Sequence, residues 1–428
     1  MNMSAVVNDT HERSEASVDD PHPAFNYGGR EWRAPKDWVY GTHRAMAPEA
    51  TLERIRPHLA TAGITRVADI TELDTVGVPV ATAMRPASLT LAVEAGKGAT
   101  TIAAATSAAM EALERFVAEC ELGTITVGRV DEVIDDLLVP LASFPLNRAA
   151  SVSPVLRYAW GEMENLRTGE RGLVPADCIR LADPSCTNPL LLTSPWQGSS
   201  NGLASGNHLP EALCAALYEV IERDATSCWK HAVSQGADRL LVDLDTVTKP
   251  VIRGVLDQVL DAGSMIRLYW CPTEVGIPTF HAEIWEQGGG TGYYGGYGCH
   301  LDPEIAMIRA VTEAVQARTV FVAGARDDLG RRAFSAMRRG PRSYEVSATV
   351  ISVDEVKDRS TSSFHGDIAV MMQALDDAGF GTVLAHEFDA ERFEVSVVRV
   401  IVPGLEPYHF AWTEPTERAR SFTPPPIG

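Results

Sequence analysis

The sequence contains no C-x-x-C pair. Its seven cysteines (Cys120, Cys178, Cys186, Cys214, Cys228, Cys271 and Cys299) are odd in number and scattered. That excludes a disulfide framework and a cysteine zinc site, and indicates reduced thiols. Cys214 and Cys228 fall in helical patterns and read as small buried hydrophobes. No apolar run reaches the roughly 18–20 residues that span a bilayer. The stretch from Met1 to about Pro23 is polar and acidic. With no apolar signal core there, no membrane anchoring and a cytoplasmic location are expected. Positive charge is scarce: 37 Lys and Arg against 57 Asp and Glu give a net charge of −20. A chain this acidic is a poor general binder of nucleic acid. It also needs cations to hold an anion such as ATP. Neither a Walker A motif nor a GxGxxG opens a helix after a strand, so no phosphate-loop fingerprint is present.

What is present suits a large globular fold. With 428 residues, 45% of them hydrophobic, the chain can bury one large core or two. Residues 1–25 read as disordered. A short amphipathic helix is expected over residues 51–59, TLERIRPHL, and strands near 65–70, 77–84 and 89–93. A long Ala-rich helix covers about 100–121. Residues 155–200 read as loop, punctuated by Pro175, Pro184, Pro189 and Pro195. Helices follow near 209–234 and 303–323, with strands at 265–270 and 279–285 between them. From Thr349 β and α patterns alternate, and 395–402 reads as a core strand. The class is mixed α/β, without a short-period repeat or coiled coil.

Three helices carry polar stripes at i, i+3, i+4 or i+7 spacing. In the first, Ser107, Glu111 and Glu114 share a face beside Ala103, Ala104 and Ala108; a solvated stripe with Arg115 nearby would fit this helix equally. The second follows Asn201, Gly202, Gly206 and Asn207, with Pro210 in its first turn. Such a start offers free N–H groups suited to phosphate. Glu211, Glu219 and Glu222 then line one side, Arg223 follows, and the rest is apolar. The third has Asp302 as N-cap, Pro303 and Glu304 in its first turn, and Arg309, Glu313 and Gln316 on one face. Glutamates on apolar helices need counter-charges. Clustered hard oxygens without His or Cys suit magnesium, which keeps waters and takes phosphate oxygens as further ligands. Arg223 and Arg309 could face those phosphates. His43 and His281 read as structural; Lys97, between two glycines, fits a phosphate contact or a turn.

The chain resembles the YcaO family, within it the group associated with TfuA-like proteins. The segments that carry the resemblance are Gly41-Thr42-His43-Arg44, Gly77-Val78-Pro79, Gly96-Lys97-Gly98, Ser107 through Arg115, SNGLASGN into LYEVIERDA, HLDPEIAMIRAVTEAVQAR and ARDDL. They spread over about residues 36–428, a single domain whose nucleotide-binding core spans roughly 90–330. The resemblance implies a fold of mixed sheets and long helices converging on a nucleotide site. It implies ATP and Mg2+ as cofactors, and phosphorylation of a backbone amide oxygen in a peptide or protein substrate. By the same resemblance Ser107, Glu111, Glu114, Asn207, Glu211, Glu219, Glu222, Arg223, Arg309 and Gln316 contact the nucleotide. Glu111, Glu114, Glu219, Glu222 and Glu313 hold the metal. Arg318 and Arg326 compete with Arg309 for the phosphate, and no residue is assigned as the base.

The nucleophile decides the product. A neighbouring Cys, Ser or Thr gives an azoline, and external sulfide gives a thioamide. Azoline-forming members commonly end in Pro-x-Pro-x-Pro. Here Pro424-Pro425-Pro426-Ile427-Gly428 has Gly428 at the third place, which turns the expectation towards thioamide formation. With no added substrate-recruiting domain expected, a TfuA-like partner protein is expected too, and the resemblance implies a homodimer. Azoline formation, or an accessory role in ribosomal-protein methylthiolation, are the competing readings.

Overall fold

The computed structural model describes residues 22–38, 40–120, 123–147, 150–181, 194–286, 292–325, 348–407 and 414–425. Most of the segment expected to be disordered, the end of ARDDL and the tail from residue 426 lie outside them.

In chain order, strands β1 (Phe25–Tyr27) and β2 (Arg30–Trp32) form a hairpin ahead of helix α1 (Pro48–Ile55). Strands β3 (Arg66–Asp69), β4 (Val80–Met84) and β5 (Val93–Lys97) make an antiparallel sheet. Helix α2 (Thr101–Cys120) packs on it. Next come β6 (Ile125–Gly128), α3 (Val130–Val133), β7 (Tyr158–Asn165), β8 (Arg171–Pro175), β9 (Leu203–Gly206) and α4 (Leu209–Ser234). Then β10 (Arg239–Val242), α5 (Pro250–Asp261), β11 (Ser264–Trp270), β12 (Thr279–Glu286) and β13 (Tyr293–Cys299) lead into α6 (Pro303–Val322). The last described elements are β14 (Ala348–Ile351), α7 (Phe364–Asp377), β15 (Leu384–Phe388), β16 (Ser396–Ile401) and α8 (Glu417–Ser421).

Two larger sheets organise the rest. One runs β13-β12-β11-β10-β14, antiparallel except for β10 beside β14. The other runs β6-β7-β15-β16-β9, with β8 on the far side of β7. Helix α2 fills the space between the small sheet and the second large one, where Ala104, Ala108, Ala109, Ala112 and Leu113 meet Trp160, Trp196 and Val397. Helices α5 and α6 cover one face of the first large sheet. Helix α4 lies against β9, β16 and α7. The mixed α+β class and the three stripe-bearing helices therefore match the sequence reading. Among the described residues no helix is long and apolar enough to cross a membrane.

The structure differs from the sequence reading in three strands. Within the loop-rich stretch 155–200, Tyr158–Asn165 and Arg171–Pro175 pair as β7 and β8. The strand expected at 89–93 sits at Val93–Lys97 instead. Its Glu, Gly and Lys are weak strand formers, and the strand exists through pairing with β4 and contact with α2. A Cβ on Gly96 would lie 2.1 Å from the Ala108 backbone nitrogen, so only glycine lets the helix approach this closely. β13, YYGGYGC, gave no strand pattern for the same reason: a Cβ on Gly296 would lie 2.2 Å from the Ala314 nitrogen of α6.

Candidate functional site

The stripes of α2, α4 and α6 face one another. On α2, Ser107, Glu111 and Glu114 occupy successive turns, each partly exposed. Burial, then the charges of Glu111 and Glu219, pushes the Glu114 carboxyl up to about 8, opposed by a hydrogen bond with Ser205 of β9. Glu219 on α4 is pushed up to about 7, again by burial first; Arg223 opposes and Glu222 adds to the rise. Arg223 Nε lies 3.8 Å from Glu219 Oε1. Glu222, one turn on, is 4% exposed. Burial and the Glu313 charge raise its carboxyl, while Arg223, Arg309 and Lys97 pull it down. Burial also works against the Glu313 charge on α6, but Lys97, Arg223 and Arg309 outweigh it and hold that carboxyl low. Glu114, Glu219 and Glu313 are thus deep within protein mass yet still reached by solvent, as side chains lining a cleft are.

Lys97 closes the ring. Its Nζ lies 3.0 Å from Glu313 Oε2 and donates to Gln316 Oε1 at 3.1 Å. Gln316 Nε2 donates to the Ala95 carbonyl at 2.6 Å, fixing its amide orientation and tying α6 to β5. Of the two readings open for Lys97, its position among these carboxylates favours the one that faces a ligand.

Asn207 and Glu211 form the opposite end. Glu211 Oε2 accepts from the Asn207 backbone N–H at 3.0 Å and from its amide at 2.9 Å. His208 caps α4, its Nδ1 accepting from the Glu211 N–H at 3.2 Å. The helix start therefore offers fewer free donors than its Gly/Asn composition suggests, since its own side chains occupy part of it. Thr51 Oγ1 donates to Asn207 Oδ1 at 2.9 Å, and Arg54 donates to the same oxygen. Arg44, 3.6 Å from Glu211 Oε1, has its charge penalised by burial, favoured by Glu211 and opposed by Arg309. Arg309 therefore bridges this end electrostatically to the Glu222–Glu313 end.

Four further residues take part to which the sequence assigned no site role, although Arg44 and Arg115 lie in segments it singled out. Glu94 of β5 is 2% exposed, and burial, then Glu111, raises its carboxyl. Arg115 Nε is 3.0 Å from Glu94 Oε1 and 3.9 Å from Glu111 Oε1. The first approach is an ion pair out of line for a hydrogen bond, because Oε1 has no hydrogen-bond partner. Arg399 of β16 and Arg44 complete the set. A single charged residue in a short strand has no periodic signal to reveal it. Of the competing arginines, Arg318 is fully occupied with Asp74, at 2.7 and 2.9 Å, and with Glu286 at 2.7 Å. Arg326 lies outside the described residues.

The donor set fits magnesium with a phosphorylated ligand. It consists of carboxylate oxygens, and Glu114 and Glu219 among them are held well above their ordinary range by burial first and neighbouring carboxylates second, both of which a hard divalent cation offsets. A second cluster fits a metal poorly, although donor atoms of His43, His300 and Asp367 lie within 4.8 Å of one another. Asp367 already accepts from Lys36 at 2.7 Å, Tyr218 at 2.8 Å and Thr361 at 2.9 Å. His300 Nδ1 accepts from the Asp302 N–H, so its neutral ring carries the proton on Nε2 and has no lone pair left for a cation.

Comparisons with known proteins bear on this geometry. Residues 95–406 match the family model of the ATP- and Mg2+-binding YcaO cyclodehydratase. An uncharacterized protein of Methanothermobacter thermautotrophicus is 34% identical over 383 residues, covering 85% of this chain and 95% of its own. An uncharacterized protein in the tfuA 3′ region of Rhizobium leguminosarum bv. trifolii is 33% identical over 387 residues, covering 85% and 88%. The structure of YcaO from Methanopyrus kandleri bound with AMPPCP and Mg2+ superposes with a TM-score of 0.68 at 24% identity, covering 87% of this chain and 95% of that one. A heterocyclase in complex with substrate and cofactor gives 0.71 at 20% identity, covering 88% of this chain. The chain spans only 57% of that heterocyclase. At these identities the two structures share the fold.

Proposed function

This chain belongs to the YcaO family, and we propose that it uses ATP and Mg2+ to activate a backbone amide of a peptide, which an external sulfur donor then converts to a thioamide. One observation carries the reading: carboxylates from β5, α2, α4 and α6 converge on a cleft that they share with Lys97, Arg115, Arg223 and Arg309. Glu111, Glu114, Glu219, Glu222 and Glu313 would hold the metal. Ser107, Asn207, Glu211, Arg223, Arg309 and Gln316 would hold the nucleotide, with Lys97 added here. Once bound, ATP with its metal supplies the phosphoryl group that makes the amide oxygen a leaving group. The protein's own part is orientation and charge. Lys97, Arg223 and Arg309 would place cations at the phosphates, and Gln316, tied to the Ala95 carbonyl, holds Lys97 in place.

The relative in the tfuA 3′ region supports a TfuA-like partner that delivers sulfur or substrate. The family description as a cyclodehydratase supports azoline formation as the second reading. An inert scaffold is disfavoured, because crowded, half-neutralised acids are costly without a ligand to hold. The proposal includes a cytoplasmic setting and a homodimer. Intact-mass measurement of a peptide encoded beside the gene, incubated with enzyme, ATP, Mg2+, sulfide and a TfuA-like protein, separates the products. Thioamide formation adds about 16 Da and azoline formation removes about 18 Da, by atomic arithmetic on the two reactions. An unchanged mass with every component present contradicts both.

A further inference from the structure

Arg399 is 1% exposed, between Val398 and Val400 on β16. Its Nε donates to the Ile179 carbonyl at 2.9 Å and its Nη1 to the Asn201 carbonyl at 2.7 Å. Its Nη2 is buried with no acceptor among the described residues. Structural arginines in the same chain behave otherwise. Arg85 is clamped on Glu119 at 2.6 and 2.8 Å, Arg318 on Asp74 at 2.7 and 2.9 Å, and Arg418 on Asp224 at 2.9 and 2.8 Å. Arg399 has no such carboxylate in contact. Backbone carbonyls fix its plane. Arg399 pairs with Leu203 of β9, on the sheet face shared with Ser205, and Ser205 hydrogen-bonds Glu114. The acids whose charge it feels are Glu219 first and then Glu114. A buried guanidinium loses its hydration, so an unpaired one signals a use for its charge at a distance.

The charge inventory indicates that use. Glu94, Glu111, Glu114, Glu219, Glu222 and Glu313 are faced by Lys97, Arg115, Arg223, Arg309 and Arg399. Six carboxyls face five cations, and Glu94 and Glu114, held up at about 9 and about 8, carry little of their negative charge near neutral pH. A bare divalent cation entering such a cleft meets several oxygens but little net negative potential. A triphosphate brings the missing negative charge. Resting on the metal-site reading above, we propose that Arg399 is a positioning residue whose fixed charge behind Glu114 and Glu219 discourages bare metal and makes Mg2+ enter together with its nucleotide. The two carbonyl anchors hold that charge inside the protein, where it cannot swing out to neutralise a surface acid.

The test is calorimetric titration of Arg399→Gln, Arg399→Lys and the wild type, with Mg2+ alone and with Mg2+ plus AMPPCP, at pH 8.5 where proton competition is smallest. Arg399→Gln should bind bare Mg2+ about tenfold more tightly and the nucleotide complex more weakly, a split of the size fixed charges exert through protein. Arg399→Lys should keep both affinities near wild type. A merely structural arginine would lose both affinities together, and that result, or no change in either, overturns the inference. If Arg399→Gln fails to fold by circular dichroism, the wild type decides. Bare Mg2+ binding at least roughly tenfold weaker than nucleotide-dependent Mg2+ binding, once the Mg2+ affinity of AMPPCP in free solution is subtracted, supports the inference, and equal affinities overturn it. Glu222→Gln is the control for the underlying reading. Full metal and nucleotide binding by that variant removes the metal site itself, whereas its loss of binding leaves a negative Arg399 result counting against Arg399 alone.

Discussion

Lys97 Nζ and Glu313 Oε2 lie 3.0 Å apart, joining β5 to α6 across 216 residues of sequence. The pair is partly exposed, 24% and 30% at the side chains, so its direct contribution to stability is small. Lys97→Met should therefore change unfolding free energy by less than about 1 kcal/mol. Without that cation at the phosphates, kcat/KM for ATP should fall by roughly ten- to a hundredfold, about 1.4–2.7 kcal/mol of transition-state stabilisation. Denaturant unfolding and ATP-dependence of turnover check the two halves. Unchanged kinetics would assign Lys97 to the turn alone.

Glu222 is the most buried of the assigned metal carboxylates. Glu222→Gln removes a charge that burial and Glu313 both penalise, so the melting temperature should stay level or rise. ATP consumption should drop by about a thousandfold or more, as for loss of a preorganised electrostatic contact. Wild-type-like turnover in this variant contradicts the metal assignment.

Glu114 and Glu219 should contribute less to the stability of the nucleotide-free protein as pH rises from about 4.5 to 8. Glu114 and Glu219 have folded values of about 8 and about 7, above the ordinary 4.5. Both are raised first by burial. At these two groups the folded state holds more protons than the unfolded one across that window, and their contribution to unfolding free energy falls as the protons are released. In thermal melts at constant ionic strength, stability should therefore fall more steeply, or rise less, with pH in the wild type than in Glu114→Gln. Identical pH dependences of the two melting temperatures contradict it.

Nucleotide should raise the melting temperature only when magnesium is present, by mass action on the native state. The gain is about 2.7 kcal/mol at a hundredfold excess over Kd. An equal shift in EDTA counts against a metal-bridged nucleotide.

Gly96→Ala should destabilise by roughly 1–3 kcal/mol through overpacking. The added Cβ meets the Ala104 carbonyl and the Ala108 backbone rather than movable side chains. Because Lys97 is adjacent, ATP affinity should fall with stability. A fully stable variant would show that α2 can shift away from β5.

The long helices were legible in the sequence because twenty or more residues of period-3.6 patterning average out local noise. Helix α4 begins and ends where the pattern does, and Asp302 caps α6 as its residue type suggests. The carboxylates of these stripes were legible for the same reason. Glu94 and Arg399 were not. Each sits in a five- or six-residue strand too short for a periodic signal, and only the packing of β5 against α2 and of β16 against α4 gives them a role. The Lys97–Glu313 contact was equally invisible, since separate patterns at residues 97 and 313 carry no information about their distance.

The most direct measurement of amide activation is the fate of the amide oxygen. A substrate peptide labelled with 18O at the target carbonyl, turned over with ATP and Mg2+, should release phosphate heavier by about 2 Da, because the oxygen leaves bonded to the transferred phosphoryl group. That holds whether the product is a thioamide or an azoline. Unlabelled phosphate alongside modified peptide would contradict ATP-dependent activation of the amide oxygen in this protein.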